Sequence, residues 1–122
     1  MARIDFKLDN MPDIGSRMLL QRYASREDRS LVTLQTYALV AWEPHTDRRH
    51  RKTGVMTWQS KCNECGARFR FKTGLFSKGF YRRCEECRNA RVYDPKEGWN
   101  PGAMRNQYRL LAPGEVDPAS LF

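Results

Sequence analysis

The sequence predicts a small α+β protein, mainly β: a short antiparallel sheet continuing into a four-cysteine zinc ribbon or treble-clef-like module, with one C-terminal helix. Three observations carry this. Leu31 to Trp42 alternates like a strand, four cysteines fall in two close pairs, and Asn100-Pro101 opens a run with helical spacing. The chain has 122 residues, the length of one domain or of one small domain with an added module.

In the first element, Val32, Leu34, Ala38, Val40 and Trp42 share one parity, interrupted by Thr36. That is the period of a pleated strand, and the Thr, Val and Tyr content favours strand over helix. Met18 to Tyr23 is a second short strand, and Ser25 to Ser30 is a polar turn. Pro44 ends the long strand, residues 46–53 form a basic loop, and Val55 to Gln59 returns to extended structure. Residues 1–57 therefore form a β-rich segment, with the loop as a hairpin tip carrying Arg48, Arg49, Arg51 and Lys52.

The cysteines define residues 58–93. Cys62-Asn-Glu-Cys65 and Cys84-Glu-Glu-Cys87 are separated by eighteen residues. Each C-x2-C turn points two sulfurs at one place, and two such turns supply the tetrahedral thiolate set of a structural Zn²⁺. Gly66 follows the first pair, where the chain must turn sharply. A redox pair needs only one C-x-x-C, and disulfides suit an oxidising compartment. The reading is one structural zinc on Cys62, Cys65, Cys84 and Cys87, with iron as the other metal for such a site.

No apolar signal region opens the chain, and no run of 18 apolar residues is present. The expected location is the cytoplasm, where thiols stay reduced.

The formal net charge is +8 and is unevenly placed. Residues 1–45 are balanced and residues 94–122 are slightly acidic, so the excess lies on the basic loop and on the cysteine region. Between the cysteine pairs, Arg68-Phe69-Arg70-Phe71-Lys72 alternates charge with aromatic. As a strand it turns Phe69 and Phe71 inward and Arg68, Arg70 and Lys72 outward as a ladder. Arg82, Arg83, Arg88 and Arg91 add charge around the second pair, and Tyr81 offers a ring on which a base can stack. A row of outward cations suits a phosphate backbone, and it equally suits a solvated face or an acidic protein partner.

Cys62-Asn-Glu-Cys65-Gly-Ala-Arg-Phe69-Arg-Phe71, then Lys78-Gly-Phe80, then Arg83-Cys84-Glu-Glu-Cys87-Arg88-Asn-Ala-Arg91 resembles the zinc-ribbon (zinc-binding) domain family found in many uncharacterised bacterial proteins. The resemblance covers about residues 58–92 and implies a metal-stapled module, without implying a molecular function. It departs from the family pattern in a shorter segment between Phe80 and Arg83 and in lacking a Gln ahead of Phe76.

After Cys87, Arg88 to Tyr93 is long enough for about two helical turns, stopped by Asp94-Pro95. Residues 94–122 then comprise a linker, a helix over 100–111 and a tail expected to be poorly ordered. Asn100 caps that helix, Pro101 opens it, and Met104, Tyr108 and Leu111 share a face.

Other constellations are weaker. His45 and His50 have no cysteine or carboxylate cluster at ligand spacing and read as exposed loop residues. Gly74-x4-Gly79 lacks the Lys-Ser/Thr of a phosphate loop. Trp42 and Trp58 suit core or interface packing, while Trp99, in a Gly/Pro-rich linker, is open to packing or base stacking. A ββα-metal nuclease needs a catalytic His between the cysteine pairs, and residues 66–83 contain none. The expected function is therefore non-enzymatic nucleic-acid binding, DNA or RNA, with no membrane and no small-molecule substrate. The alternatives are an adaptor docking on nucleic-acid machinery through Trp99 and the 100–111 helix, and, more weakly, a metal-dependent nuclease.

Overall fold

Seven strands and one short helix account for the computed structural model, which describes residues 4–23, 30–77, 80–90 and 106–121. The strands are β1 (Ile4–Asp5), β2 (Arg17–Tyr23), β3 (Leu31–Thr46), β4 (Lys52–Lys61), β5 (Arg68–Gly74), β6 (Phe76–Ser77) and β7 (Asn106–Leu110). The helix α1 is Glu85–Ala90, and a 3-10 turn spans Pro118–Leu121. Five strands form one sheet in the order β5-β4-β3-β2-β7, with every neighbouring pair antiparallel. β1 and β6 make a separate two-stranded ribbon. β4 runs continuously through residues 57 and 58, so the sheet passes unbroken from the first segment into the cysteine region.

One face of the sheet holds the core: Met18, Leu20, Tyr37, Leu39, Met56, Trp58, Phe71 and Phe80. Phe80 is its hub, with ring centroids of Tyr37 at 4.9 Å, Trp58 at 5.0 Å, Phe71 at 5.4 Å and Tyr108 at 5.5 Å. Aromatic pairs at such spacings contribute about 0.5–1.5 kcal/mol each beyond their burial. Phe6, Met11 and Leu75 pack on the same face.

The buried parity of β3 is opposite to the one the apolar residues suggest. Gln35, Tyr37 and Leu39 are buried, while Leu34 and Ala38 are only half-buried on the outer face. A bulge between Leu39 and Ala41 then shifts the register, which returns Trp42 to the core side. The inward side chains Gln35 and Tyr37 are polar or amphipathic, so the apolar parity does not mark the buried face.

The helix expected over 100–111 is not formed where it can be tested. Residues 106–110 are the edge strand β7, paired with β2, and residues 100–105 and Trp99 lie outside the described residues. Tyr108 turns inward to Phe80, and its hydroxyl accepts the Phe80 N–H at 3.2 Å. The partner strand lies more than eighty positions away, so no local period reports the pairing.

The tail is held rather than loose. Thr36 donates to Asp117, Arg17 donates to the Glu115 carbonyl, and Arg109 pairs with Glu115 at 3.0 Å. These contacts fold residues 111–121 over the outer face near β2 and β3. The helix expected after Cys87 begins earlier, at Glu85. Residues 91–93 and most of the 25–30 turn lie outside the described residues. Among the described residues no helix is long and apolar enough to cross a membrane.

Candidate metal centre

The four cysteines are brought together by two different local structures. The first pair occupies the turn between β4 and β5. Cys62 N–H donates to the Ala67 carbonyl at 2.7 Å, and Gly66 N–H donates to the Cys62 carbonyl at 3.0 Å. Gly66 has φ +76°, the left-handed conformation that glycine adopts without a Cβ penalty. The second pair is placed by α1: Cys84 precedes it and accepts the Arg88 N–H at 2.9 Å, while Cys87 lies in its first turn. A hairpin turn facing a helix start is the treble-clef-like arrangement.

One sulfur from each cysteine lies within 4.8 Å of the other three, and no disulfide forms. The Cys65 and Cys84 sulfurs are 3.7 Å apart. A tetrahedral ion with metal–sulfur bonds of about 2.3 Å sets its sulfurs about 3.8 Å apart, so the geometry fits a single metal ion.

The electrostatics fit as well. Burial disfavours the Cys62 thiolate, but the N–H groups of Cys65, Cys84 and Glu64 outweigh it and draw its pKa down to about 6. The Glu64 N–H to Cys62 sulfur distance is 3.4 Å. Cys87 is pushed far up, first by the thiol of Cys84 and then by those of Cys62 and Cys65. At Cys65 the Ala67 N–H and the Cys87 thiol favour the thiolate, yet the Cys62 thiol, burial and the Cys84 thiol leave the net shift upward. Four crowded sulfurs thus resist joint ionisation on their own, which is the repulsion a divalent cation removes.

The two cysteine turns are braced to each other. Arg83 Nε donates to Glu64 at 2.7 Å, and Asn63 N–H donates to the Arg82 carbonyl at 2.8 Å. Arg83 is therefore committed to an ion pair inside the centre. Arg88 lies 3.8 Å over the Tyr81 ring, so one face of the proposed stacking ring is already covered. Arg82 is half-buried, and Arg91 lies outside the described residues.

Phe71 is buried and Phe69 packs against the core, while Arg68, Arg70 and Lys72 stand exposed on the opposite face of β5. Lys61 lies directly across from Arg68, Gln59 from Arg70, and Thr57 from Lys72. Arg70 donates to the Gln59 side chain at 2.8 Å. Lys61 extends the ladder and is absent from the sequence reading. A hairpin closed symmetrically around the first cysteine turn pairs residue 61 with residue 68, so the turn itself held the signal. Arg48, Arg49, Arg51 and Lys52 are exposed at the far end of β4, away from the ladder. His45 and His50 are exposed, and the cysteine set is the only group of potential metal ligands found among the described residues.

Fold and site together define a class: a small, mainly β protein whose sheet continues into a four-cysteine centre able to hold a metal ion. Comparison of the chain with protein-family models, with curated proteins and with solved structures finds no match in any of the three.

Proposed function

We propose that this chain is a non-enzymatic, zinc-stabilised nucleic-acid-binding protein of the cytoplasm, contacting phosphates through the basic face beside its metal centre. Zn²⁺ is the ion that a closed four-thiolate set suits best in such a compartment. All four ligand positions are sulfurs, which leaves none for an activated water and favours a structural over a hydrolytic role.

The observation that carries the reading is the row of four exposed cations, Lys61, Arg68, Arg70 and Lys72, on one face of two adjacent strands. Lys61 and Arg68 are cross-strand partners, and like charges in that position are destabilising. A phosphate backbone laid along the row relieves that cost and releases counterions. The same row on an edge strand also discourages sheet-to-sheet aggregation, so binding has to be measured. Titration of labelled single-stranded and duplex probes across a salt series is the test. The reading requires affinity that falls linearly on a log–log plot with a slope of about −0.9 per phosphate contact on duplex. Recovery from lysate of a partner that survives nuclease treatment, without binding to either probe, favours the protein-adaptor alternative.

A further inference from the structure

β3 and β4 run past the rest of the sheet. β2 pairs with β3 only as far as Ala38, and β5 pairs with β4 only from Val55 onward. The pairs Pro44–Gly54, His45–Thr53 and Thr46–Lys52 continue beyond both neighbours. Their base is seated, because Gly54 is buried against Leu75. What projects is a two-stranded ribbon of three rungs closed by residues 47–51.

The tip of this arm is pre-formed and strongly basic. Asp47 N–H donates to the Arg51 carbonyl and His50 N–H to the Asp47 carbonyl, both at 3.0 Å, and His50 takes φ 60°. The Asp47 carboxylate accepts from Arg49 N–H at 2.8 Å, Arg51 N–H at 2.9 Å and Arg51 Nε at 3.0 Å. The one acidic side chain of residues 44–54 is thus spent on shaping the turn. The side chains of Arg48, Arg49 and Lys52 are exposed and make no hydrogen bond or ion pair among the described residues.

We infer that this arm enters the major groove of double-stranded DNA, with Arg48 and Arg49 reaching base edges or flanking phosphates. The inference rests on the nucleic-acid reading above and narrows it to one ligand class. Strands about 4.8 Å apart, with their side chains, make a ribbon that a groove about 12 Å wide and about 8.5 Å deep admits. From Pro44 to Thr46 the ribbon rises about 7 Å, and the 47–51 turn carries its tip further, a reach comparable to that depth. The major groove of duplex RNA is too narrow for side chains to read, and a single strand offers no groove. The ladder lies behind the arm: Thr57, opposite Lys72, is four residues back along β4 from Thr53, about 13 Å along the strand axis.

The test compares a 20-base-pair DNA duplex, an RNA duplex of matching sequence and the single DNA strand, each by fluorescence anisotropy on the zinc-loaded protein. Guanine N7, exposed in the major groove, is probed with dimethyl sulfate. The expected result is preference for duplex DNA with N7 protection. Arg48→Ala/Arg49→Ala loses at least tenfold of that affinity and lowers the salt slope by about 2, while single-strand binding is unchanged. Unaltered zinc content and thermal midpoint show that the variant is folded. Equal affinity for the two duplexes without N7 protection, or a variant indistinguishable from wild type, overturns the arm while leaving the ladder intact. Failure of all three probes to bind at low salt overturns the nucleic-acid reading as a whole, and the arm with it.

Discussion

Gln35 donates its side-chain amide to the Arg82 carbonyl at 3.1 Å, linking the middle of β3 to the segment that carries the second cysteine pair. The same nitrogen reaches the Lys61 carbonyl at 3.0 Å, one residue before Cys62. A single buried amide therefore spans the approaches to both cysteine turns, with the Ser60 hydroxyl at 3.1 Å as a third acceptor sharing its two protons. Groups of this kind orient ligands without touching the ion. Gln35→Ala is expected to cost about 1–3 kcal/mol of stability, because it strands the partly buried carbonyls of Lys61 and Arg82. It should also weaken metal retention by about 10–100-fold in competition with a colorimetric chelator. Leu39→Ala, which removes core apolar surface, should lower the thermal midpoint without that loss of affinity. Equal chelator sensitivity in the two variants would reduce Gln35 to ordinary core packing.

The metal set was legible because a chelating turn is local: two residues between cysteines and a glycine after them suffice to aim the sulfurs. The alternation of Arg68 to Lys72 was legible for the same reason, since a strand's faces follow from adjacent residues. What escaped depends on distant partners. The inward face of β3 is marked by Gln35 and Tyr37, whose value lies in hydrogen bonds to Arg82 and Tyr81 far along the chain. β7 resembled a capped helix until β2 supplied its pairing. Lys61 became part of a basic row only once the hairpin register set it against Arg68.

Metal removal tests the centre directly. The purified protein should contain one zinc per chain by elemental analysis. Structural zinc in small modules contributes about 10–16 kcal/mol of apparent binding free energy, more than such a sheet has in reserve. Cys62→Ser or Cys87→Ser should therefore unfold at least the 58–92 region, read as loss of amide dispersion there by NMR. A fold unchanged by strong chelator, with no metal detected beforehand, would sink the central claim.

Tyr37 gives an alkaline signature. Its hydroxyl donates to the Tyr81 carbonyl at 2.9 Å, and burial first, then Tyr108, holds its pKa well above 10. The folded state thus keeps a proton that the unfolded chain loses near pH 10. The stabilisation is complete below that pH and is lost as pH rises through the higher folded value. Tyr37→Phe should cost about 1 kcal/mol near neutrality. It should also flatten the decline in denaturation midpoint above about pH 10, apart from what other tyrosines contribute. An unchanged alkaline slope would place the proton elsewhere.

The basic row permits the sharpest test of whether charge on this fold is used or merely solvated. Arg68 and Arg70 stand opposite the inward Phe69 and Phe71, so removing them spares both core and cysteines. Arg68→Ala/Arg70→Ala should keep its zinc and its thermal midpoint, since exposed substitutions usually change stability by less than about 0.5 kcal/mol. If the row tracks phosphates, the variant should bind every probe more weakly, almost regardless of sequence, with the slope of log K against log salt reduced by about 1 per contact. Lys7 provides the control. It is exposed and lies outside the two strands that carry the row. General attraction of a +8 chain for a polyanion predicts the same loss per charge at Lys7 as at the row. A backbone seated on β4 and β5 predicts a loss at Arg68 and Arg70 and almost none at Lys7. Equal losses per charge would make the row a solvated edge-strand face, leaving the protein-adaptor reading in its place.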